Sequence, residues 1–345
     1  MKLRLTMVLA LAAAMIGSAS AETNLNGAGA TFPNPIYQKW FSEYHNAHKD
    51  VQINYQSIGS GGGIAQLTSG TVDFGASDGP MTDEQLSKVP VKVLHIPTVL
   101  GGVVPTYNVT GVNSDLKFTG DVLADIYLGN IKKWNDPRLA KANPGVKFPD
   151  EDIVVVHRSE GSGTTYIFTD YLSKVSPAWK DKVGKGTSVN WPAGLGGKGN
   201  EGVSGMVKQT EGSIGYVELI YAISNQMAYG SVQNAAGSFV KASLDSVTAA
   251  AASVKDMPDD FRVSITNAPG KEAYPISSFT WLLVPAEWAD ADKEKAFVDF
   301  LTFMVDKGQT MTAALQYAPL PKNVAAKVKA RIKEIKVKPK QSAKK

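Results

Sequence analysis

Three short segments of this sequence combine residue types able to hold an anion: Gly27-Ala28-Gly29-Ala30-Thr31-Phe32-Pro33, Gly59-Ser60-Gly61-Gly62-Gly63 and Arg158-Ser159-Glu160-Gly161-Ser162-Gly163-Thr164. Each follows a β-type run and precedes a helix start. A helix N-terminus leaves backbone N–H groups unpaired and carries the positive end of the dipole, and glycine lets an anion approach the backbone closely. Serine and threonine add donors without formal charge. Any one of these segments alone reads as an ordinary cap and turn. Three of them, one carrying an arginine, read as a donor set for a small anion.

None of the three is a standard nucleotide or hydrolase motif. No lysine follows the glycines of the second segment, as a P-loop requires. Phe32 stands where a dinucleotide fingerprint needs its third glycine. Ile58 and Glu160 occupy the first-glycine place of a Gly-x-Ser-x-Gly elbow around Ser60 and Ser162.

Donors from distant segments converge only if strands and helices carry them. From Leu25 onward short β-type runs alternate with helical patterns, the signature of α/β units rather than a sandwich or a bundle. Strands are expected at Val51 to Ile58, Val91 to Ile96, Ile153 to Val156, Ser213 to Val217, Arg262 to Thr266 and Thr280 to Val284. Pro35 suits a first helical turn, and Ile36, Trp40, Phe41 and Tyr44 then recur at helical spacing. Asp290 to Tyr317 shows the same period through Phe297, Phe300, Leu301 and Met304. The glycine-rich stretch Trp191 to Gly205 reads as a loop, because glycine gives an element interior nothing to pack.

At 345 residues, 43% hydrophobic and 20% charged, the chain fits a globular protein whose length favours two domains. Gly and Pro punctuation marks two crossings, at Gly101-Gly102 to Pro105 and at Ala268 to Pro275. Domain I is then discontinuous, 22–103 with 275–335, domain II is 104–274, and 336–345 is a basic tail. Lys2 and Arg4 precede an apolar run from Leu5 to Ile16 and the triplet Ala19-Ser20-Ala21, the pattern of an export signal cleaved after Ala21. The run of about 12 residues is too short to span a bilayer as a helix. With no cysteine there is no disulfide framework, thiolate metal site or acylated anchor. A freely diffusing periplasmic protein is expected.

The net charge of +4 is unevenly placed. Lys322 to Lys345 carries ten Lys or Arg against the single acid Glu334, and residues 22–321 are left with about seven net negative charges. A nucleic-acid binder carries a positive stripe on its folded body, so no nucleic-acid partner is expected. Val324, Val328, Ile332 and Ile335 form a helical stripe that docks the first part of the tail, leaving the end from Lys336 loose.

Four motifs in order, GAGATFP (27–33), IGSGGG (58–63), VDFGASD (72–78) and RSEGSGT (158–164), closely resemble the periplasmic phosphate-binding proteins of the phosphate-specific ABC transporter. The resemblance covers nearly the whole chain after the signal, including the segment from Ile131 to Pro137 and Pro319-Leu320-Pro321. It implies a two-domain, type II-like binding protein hinged by crossing strands, a monomer that holds dehydrated inorganic phosphate in the cleft and delivers it to membrane permease subunits. No cofactor and no catalytic step are implied. Carried over, the phosphate ligands fall on Thr31 and Phe32 with Ala30 beside them, Ser60 and Asp78 on the first wall, and Arg158, Ser162, Gly163 and Thr164 on the other. The chain departs from many relatives at Gly61, where they have serine, and at Glu160, where they have aspartate; the second departure leaves the pairing with Arg158 open.

An oxyanion stripped of water must be met by nearly a full shell of donors. Asp78 fits that shell if the ligand carries a proton, because an ionised carboxylate is acceptor-only and takes a hydrogen bond from P–OH. Sulfate has no such proton at neutral pH and would face an unpaired, repelling acceptor. The plainer reading of Asp78 is a turn or cap aspartate. Arsenate, protonated like phosphate, is not separated from it by the sequence. An enzyme of phosphate esters would need a metal cluster or an activated nucleophile. The chain has four histidines: His45 and His48 on a helix surface without an acidic partner at ligand spacing, and His95 and His157 in β-type runs, where burial against a hydrogen-bond partner is expected.

Overall fold

The apolar runs form a mixed sheet in the computed structural model, which describes residues 22–112 and 115–339. The expected export signal and the last six residues of the tail lie outside the described residues. In chain order the strands are β1 (Thr23–Gly29), β2 (Val51–Ser57), β3 (Phe74–Ser77), β4 (Val93–Asn108), β5 (Val154–Arg158), β6 (Leu195–Gly197), β7 (Ser213–Glu218), β8 (Ala228–Tyr229) and β9 (Ser277–Pro285). They lie in the order β2-β1-β3-β9-β4-β7-β5-β6, with β8 also on β4. β1 is parallel to β2 and β3, β9 runs antiparallel to both β3 and β4, and β5 is parallel to β7 and β6. This is a two-domain, type II-like α/β fold.

β4 carries the sheet from one half to the other. All of its residues but Asn108 are buried, which is why its sequence is a near-continuous apolar run. It pairs with β9 up to Gly102 opposite Ser277, and from Val103, opposite Glu218, it pairs with β7. The chain returns beside the same point: Tyr274 donates its hydroxyl to Val103 O at 2.7 Å, and Val103 N–H donates to Ile276 O at 2.8 Å.

The helices that matter for the site are α1 (Asn34–Ala47), α2 (Ser60–Thr68), α3 (Gly163–Val175), α4 (Gly199–Gln209), α5 (Leu219–Ser224), α6 (Ala291–Val305) and α7 (Lys322–Ile332). Pro35 sits in the first turn of α1, and Ile36, Tyr37, Trp40, Phe41 and Tyr44 form its buried face. That face meets α6, with Phe41 and Tyr44 ring centroids 5.3 and 5.4 Å from Phe300. Each such side chain contributes about 1.5–3 kcal/mol by leaving water, so α1 is anchored firmly behind the Thr31-Phe32 turn. Among the described residues no helix is long and apolar enough to cross a membrane.

Four local expectations change. Arg262 to Thr266 is not a strand; side chains meet backbone groups at its two ends in place of a ladder, Arg262 N–H donating to Asp260 Oδ1 and Thr266 O accepting from Lys174 Nζ, while Asp170 accepts from the Ser264 and Thr266 hydroxyls. The glycine-rich stretch is not a loop throughout: it supplies β6 and the first half of α4. Gly194, Gly196 and Gly197 allow close approach rather than flexibility, a Cβ at Gly197 falling 2.8 Å from Val203 N. Asp290 to Tyr317 is helical only to Val305 and then breaks into short 3-10 turns, Gly308–Met311 and Ala313–Leu315. α7 docks through Val324, Val328 and Ile332 as its stripe requires, but Lys336–Val337 is not loose, pairing in parallel with Glu287–Trp288.

Candidate anion-binding site

The carboxyl ends of β1, β3 and β5 and the starts of α1, α2 and α3 face one another where the two halves meet. The turn between β1 and α1 presents Thr31 and Phe32, whose N–H groups find no acceptor among the described residues. Ser60 opens α2 after Gly59, whose φ of 88° is the left-handed conformation that glycine adopts at little cost. Asp78 follows β3, and its N–H donates to Ser60 Oγ at 3.2 Å. Across from them Arg158 ends β5, Ser162 caps α3 by accepting from Thr165 N at 3.1 Å, and Gly163 and Thr164 form its first turn. First-turn N–H groups have no intrahelical acceptor.

The two walls touch. Gly61 N–H donates to Gly161 O at 2.9 Å. A Cβ on Gly163 would lie 2.4 Å from Ser60 Oγ and 2.5 Å from Asp78 Oδ2, so only glycine permits this approach. The third link is Asn200, the second residue of α4: its Nδ2 donates to Thr31 Oγ1 at 2.7 Å and to Thr164 Oγ1 at 3.2 Å. Tyr221, on α5, donates to Thr31 O at 2.6 Å.

Within this enclosure the four hydroxyls share one polarity. Those of Thr31, Ser60, Ser162 and Thr164 each accept at least one protein N–H bond. None finds an acceptor for its own proton among the described residues, and all four residues are nearly fully buried. A hydroxyl has one proton and two lone pairs, so each is left as a donor. Arg158 adds a cation: Nε and Nη2 donate to Glu160 Oε1, Nη1 donates to Thr164 Oγ1 at 3.2 Å, and two of the five guanidinium N–H groups remain. The pairing left open by the extra methylene of Glu160 therefore forms, and Gly199 N–H steadies the same oxygen at 3.0 Å.

Asp78 supplies the opposite polarity. Its Oδ1 accepts from Thr280 Oγ1 at 2.7 Å, while Oδ2 is buried without a hydrogen-bond partner. Burial pushes its pKa up to about 7, against the pull of the Thr280 hydroxyl and the Arg158 charge. A free acceptor between the Ser60 hydroxyl and the Gly163 helix start suits a tetrahedral oxyanion that brings one proton.

Most residues expected from the sequence are thus brought together: Thr31, Ser60, Asp78, Arg158, Ser162, Gly163 and Thr164 line one enclosure. Phe32 contributes backbone, its ring packing 6.3 Å from that of Tyr317, which donates to Phe32 O. Ala30 stands apart, with its N–H spent on Ala76 O and its carbonyl taken by the Tyr55 hydroxyl. Sequence reasoning missed Asn200, Thr280 and Tyr221. It also missed Glu218, fully buried at the end of β7, whose carboxyl is pushed well above its usual range by burial. Thr280 shares its strand with the buried hydroxyls of Ser277 and Ser278, so nothing in the sequence singles it out.

Among the described residues no group of three or more His, Cys, Asp or Glu is arranged to hold a metal. His45 Nδ1 pairs with Val51 O and His48 stacks on Tyr44. His95 is buried, Nε2 accepting from Met81 N–H, and burial lowers its pKa to about 4; His157, half-buried, stacks on Trp191.

A two-lobed α/β chain with uncharged donors from helix starts meeting between the lobes is built as a solute-binding protein, and residues 17–307 match the PBP superfamily domain. The chain is 49% identical over 308 residues to the phosphate-binding protein PstS of Xylella fastidiosa (strain Temecula1), covering 89% of this chain and 84% of that one. Identity to PstS of Pasteurella multocida is 45% over 329 residues, 95% of each chain. The chain belongs to the PstS family of phosphate-binding proteins. Its fold is similar to that of a high-affinity periplasmic phosphate-binding protein solved with bound phosphate, at a TM-score of 0.71 and 22% identity over 89% of this chain and 93% of the other.

Proposed function

We propose that this protein is an exported, periplasmic receptor that closes its two domains on one inorganic phosphate ion and delivers it to the permease subunits of an ABC importer, working as a monomer without a catalytic step. The observation that carries this reading is the polarity of the site: four buried hydroxyls left as donors, helix-start amides and one arginine, with the buried, unpartnered oxygen Asp78 Oδ2 set against Ser60 and Gly163 to oppose them. The ligands are Thr31, Phe32, Ser60, Asp78, Arg158, Ser162, Gly163 and Thr164, while Ala30, its backbone groups spent elsewhere, is not one of them. Asp78 Oδ2 takes the phosphate proton, and sulfate, lacking one, leaves that oxygen unpaired.

The domains divide as 22–103 with 275–335 against 104–274, a division supported by the change of pairing partner along β4 between Gly102 and Val103. Closure is then a hinge motion at β4 and the returning segment beside it. Calorimetric titration of the mature chain, stripped of bound ion by unfolding and refolding, tests the reading. One site of micromolar or tighter affinity for phosphate, about −8 kcal/mol or better, with no heat from sulfate supports it. Equal sulfate binding or silence toward both ions overturns it.

A further inference from the structure

Among the described residues Asn200 is the one side chain that reaches hydroxyls on both walls, and it is fully buried. Its amide has no freedom to flip. Oδ1 accepts from Glu218 N–H at 2.9 Å, which directs both Nδ2 protons away from that strand, one to Thr31 Oγ1 and one to Thr164 Oγ1.

The lone-pair count on those two hydroxyls is complete. Thr31 Oγ1 accepts from Asn200 Nδ2 and, at 3.3 Å, from Asn200 N. Thr164 Oγ1 accepts from Asn200 Nδ2 and from Arg158 Nη1. With both lone pairs occupied, each oxygen has only its proton to offer. Ser60 and Ser162 each accept one N–H and keep a lone pair free, so their polarity is less tightly fixed.

We propose that Asn200 is a positioning residue that fixes the Thr31 and Thr164 hydroxyls as obligate donors toward the bound anion and joins the two walls through them. This rests on the site being the phosphate site proposed above. Asn200 itself touches no ligand. It acts by leaving two hydroxyls no alternative, so that closing the domains and orienting the donors become one event.

The discriminating substitution is Asn200→Asp. An ionised carboxylate donates nothing and accepts both hydroxyl protons, turning them away from the anion while placing a negative charge beside it. Asn200→Ala removes one donor from each hydroxyl, leaving Thr31 the backbone N–H of residue 200 and Thr164 the Arg158 guanidinium, so that each keeps a free lone pair as Ser60 and Ser162 do. Titration with inorganic phosphate from pH 5 to 8.5 is expected to show wild-type binding throughout. Asn200→Ala should weaken it about ten- to thirtyfold, as two hydrogen bonds of ordinary worth predict. Asn200→Asp should lose at least about a thousandfold at pH 8, the charge-bearing hydrogen bonds being the stronger ones, and recover as the pH falls and the carboxyl takes up a proton.

An Asn200→Asp loss no larger than that of Asn200→Ala overturns the proposal. Because the new charge repels the anion whatever role Asn200 has, a cycle of Asn200→Ala with Thr164→Val decides against a merely space-filling Asn200: the Ala substitution should cost clearly less once the Thr164 hydroxyl is gone, and full additivity overturns the proposal. Failure of the wild type to bind phosphate falls instead on the reading of the site.

Discussion

Replacing Asp78 by asparagine separates the cost of burying this carboxyl from its use. Its pKa moves from 3.8 to about 7, principally because burial disfavours the charged form. At 1.36 kcal/mol per pH unit that gap corresponds to about 4 kcal/mol. Between pH 4 and 7 the folded protein holds a proton at Asp78 that the unfolded chain has released, so stability falls as pH rises through this window. The contribution is fully present below pH 4 and lost above 7. Asparagine does not titrate. In urea unfolding of phosphate-stripped protein, the stability of Asp78→Asn minus that of wild type should therefore grow by up to about 4 kcal/mol from pH 4 to pH 8. The same variant should bind sulfate, since an amide donor replaces the repelling oxygen. Wild type should begin to accept sulfate as the pH drops below 7 and Asp78 protonates. A stability difference flat across pH, or unchanged sulfate rejection by Asp78→Asn, would refute the reasoning.

Gly163→Ala should weaken phosphate binding at least tenfold by forcing the walls apart, because its Cβ would meet Ser60 Oγ and Asp78 Oδ2; titration together with small-angle scattering of the liganded form checks both effects. Asp170, held to a pKa of about 2 because its bonds to Lys185, Ser264 and Thr266 outweigh the opposing effect of burial, contributes about 2 kcal/mol of stability. That contribution is complete above pH 4 and lost as the pH falls toward 2, and Asp170→Asn should remove the acid-side loss in a melting series while phosphate affinity is kept. Residues 22–321 carry net negative charge, so the proposed binding by buried donors rather than a surface field predicts that affinity changes only modestly between about 0.05 and 0.5 M sodium chloride, whereas a surface patch would be screened within about 10 Å at 0.1 M.

The parts of this molecule legible in the sequence were those governed by local chemistry. The Gly-Ser-Thr segments announce helix starts with spare donors, and the apolar run from Val91 to Ile96 announces the first part of β4, whose continuation through Gly101-Gly102 it does not show. The residues that were not legible act across long sequence distances. Asn200 lies 169 residues from Thr31, and Thr280 lies 202 from Asp78; no spacing rule joins them. The glycine-rich stretch misled because glycine marks a loop when it supplies flexibility and a packed junction when it supplies nearness, and composition does not distinguish these. Arg262 to Thr266 misled because β-forming residues can satisfy their polar groups on a neighbouring Asp and Lys instead of on another strand.

The direct contact between the walls, Gly61 N–H on Gly161 O and Gly163 against Ser60 and Asp78, turns affinity into a matter of timing. If phosphate is held there as proposed, it cannot depart past a loosened edge. Its escape would then be set by the rate at which the lobes part, a unimolecular step. Exchange of isotopically labelled phosphate should then proceed at one rate whatever the excess of unlabelled competitor. Whatever pries the lobes apart at the membrane would set how long the cargo stays aboard.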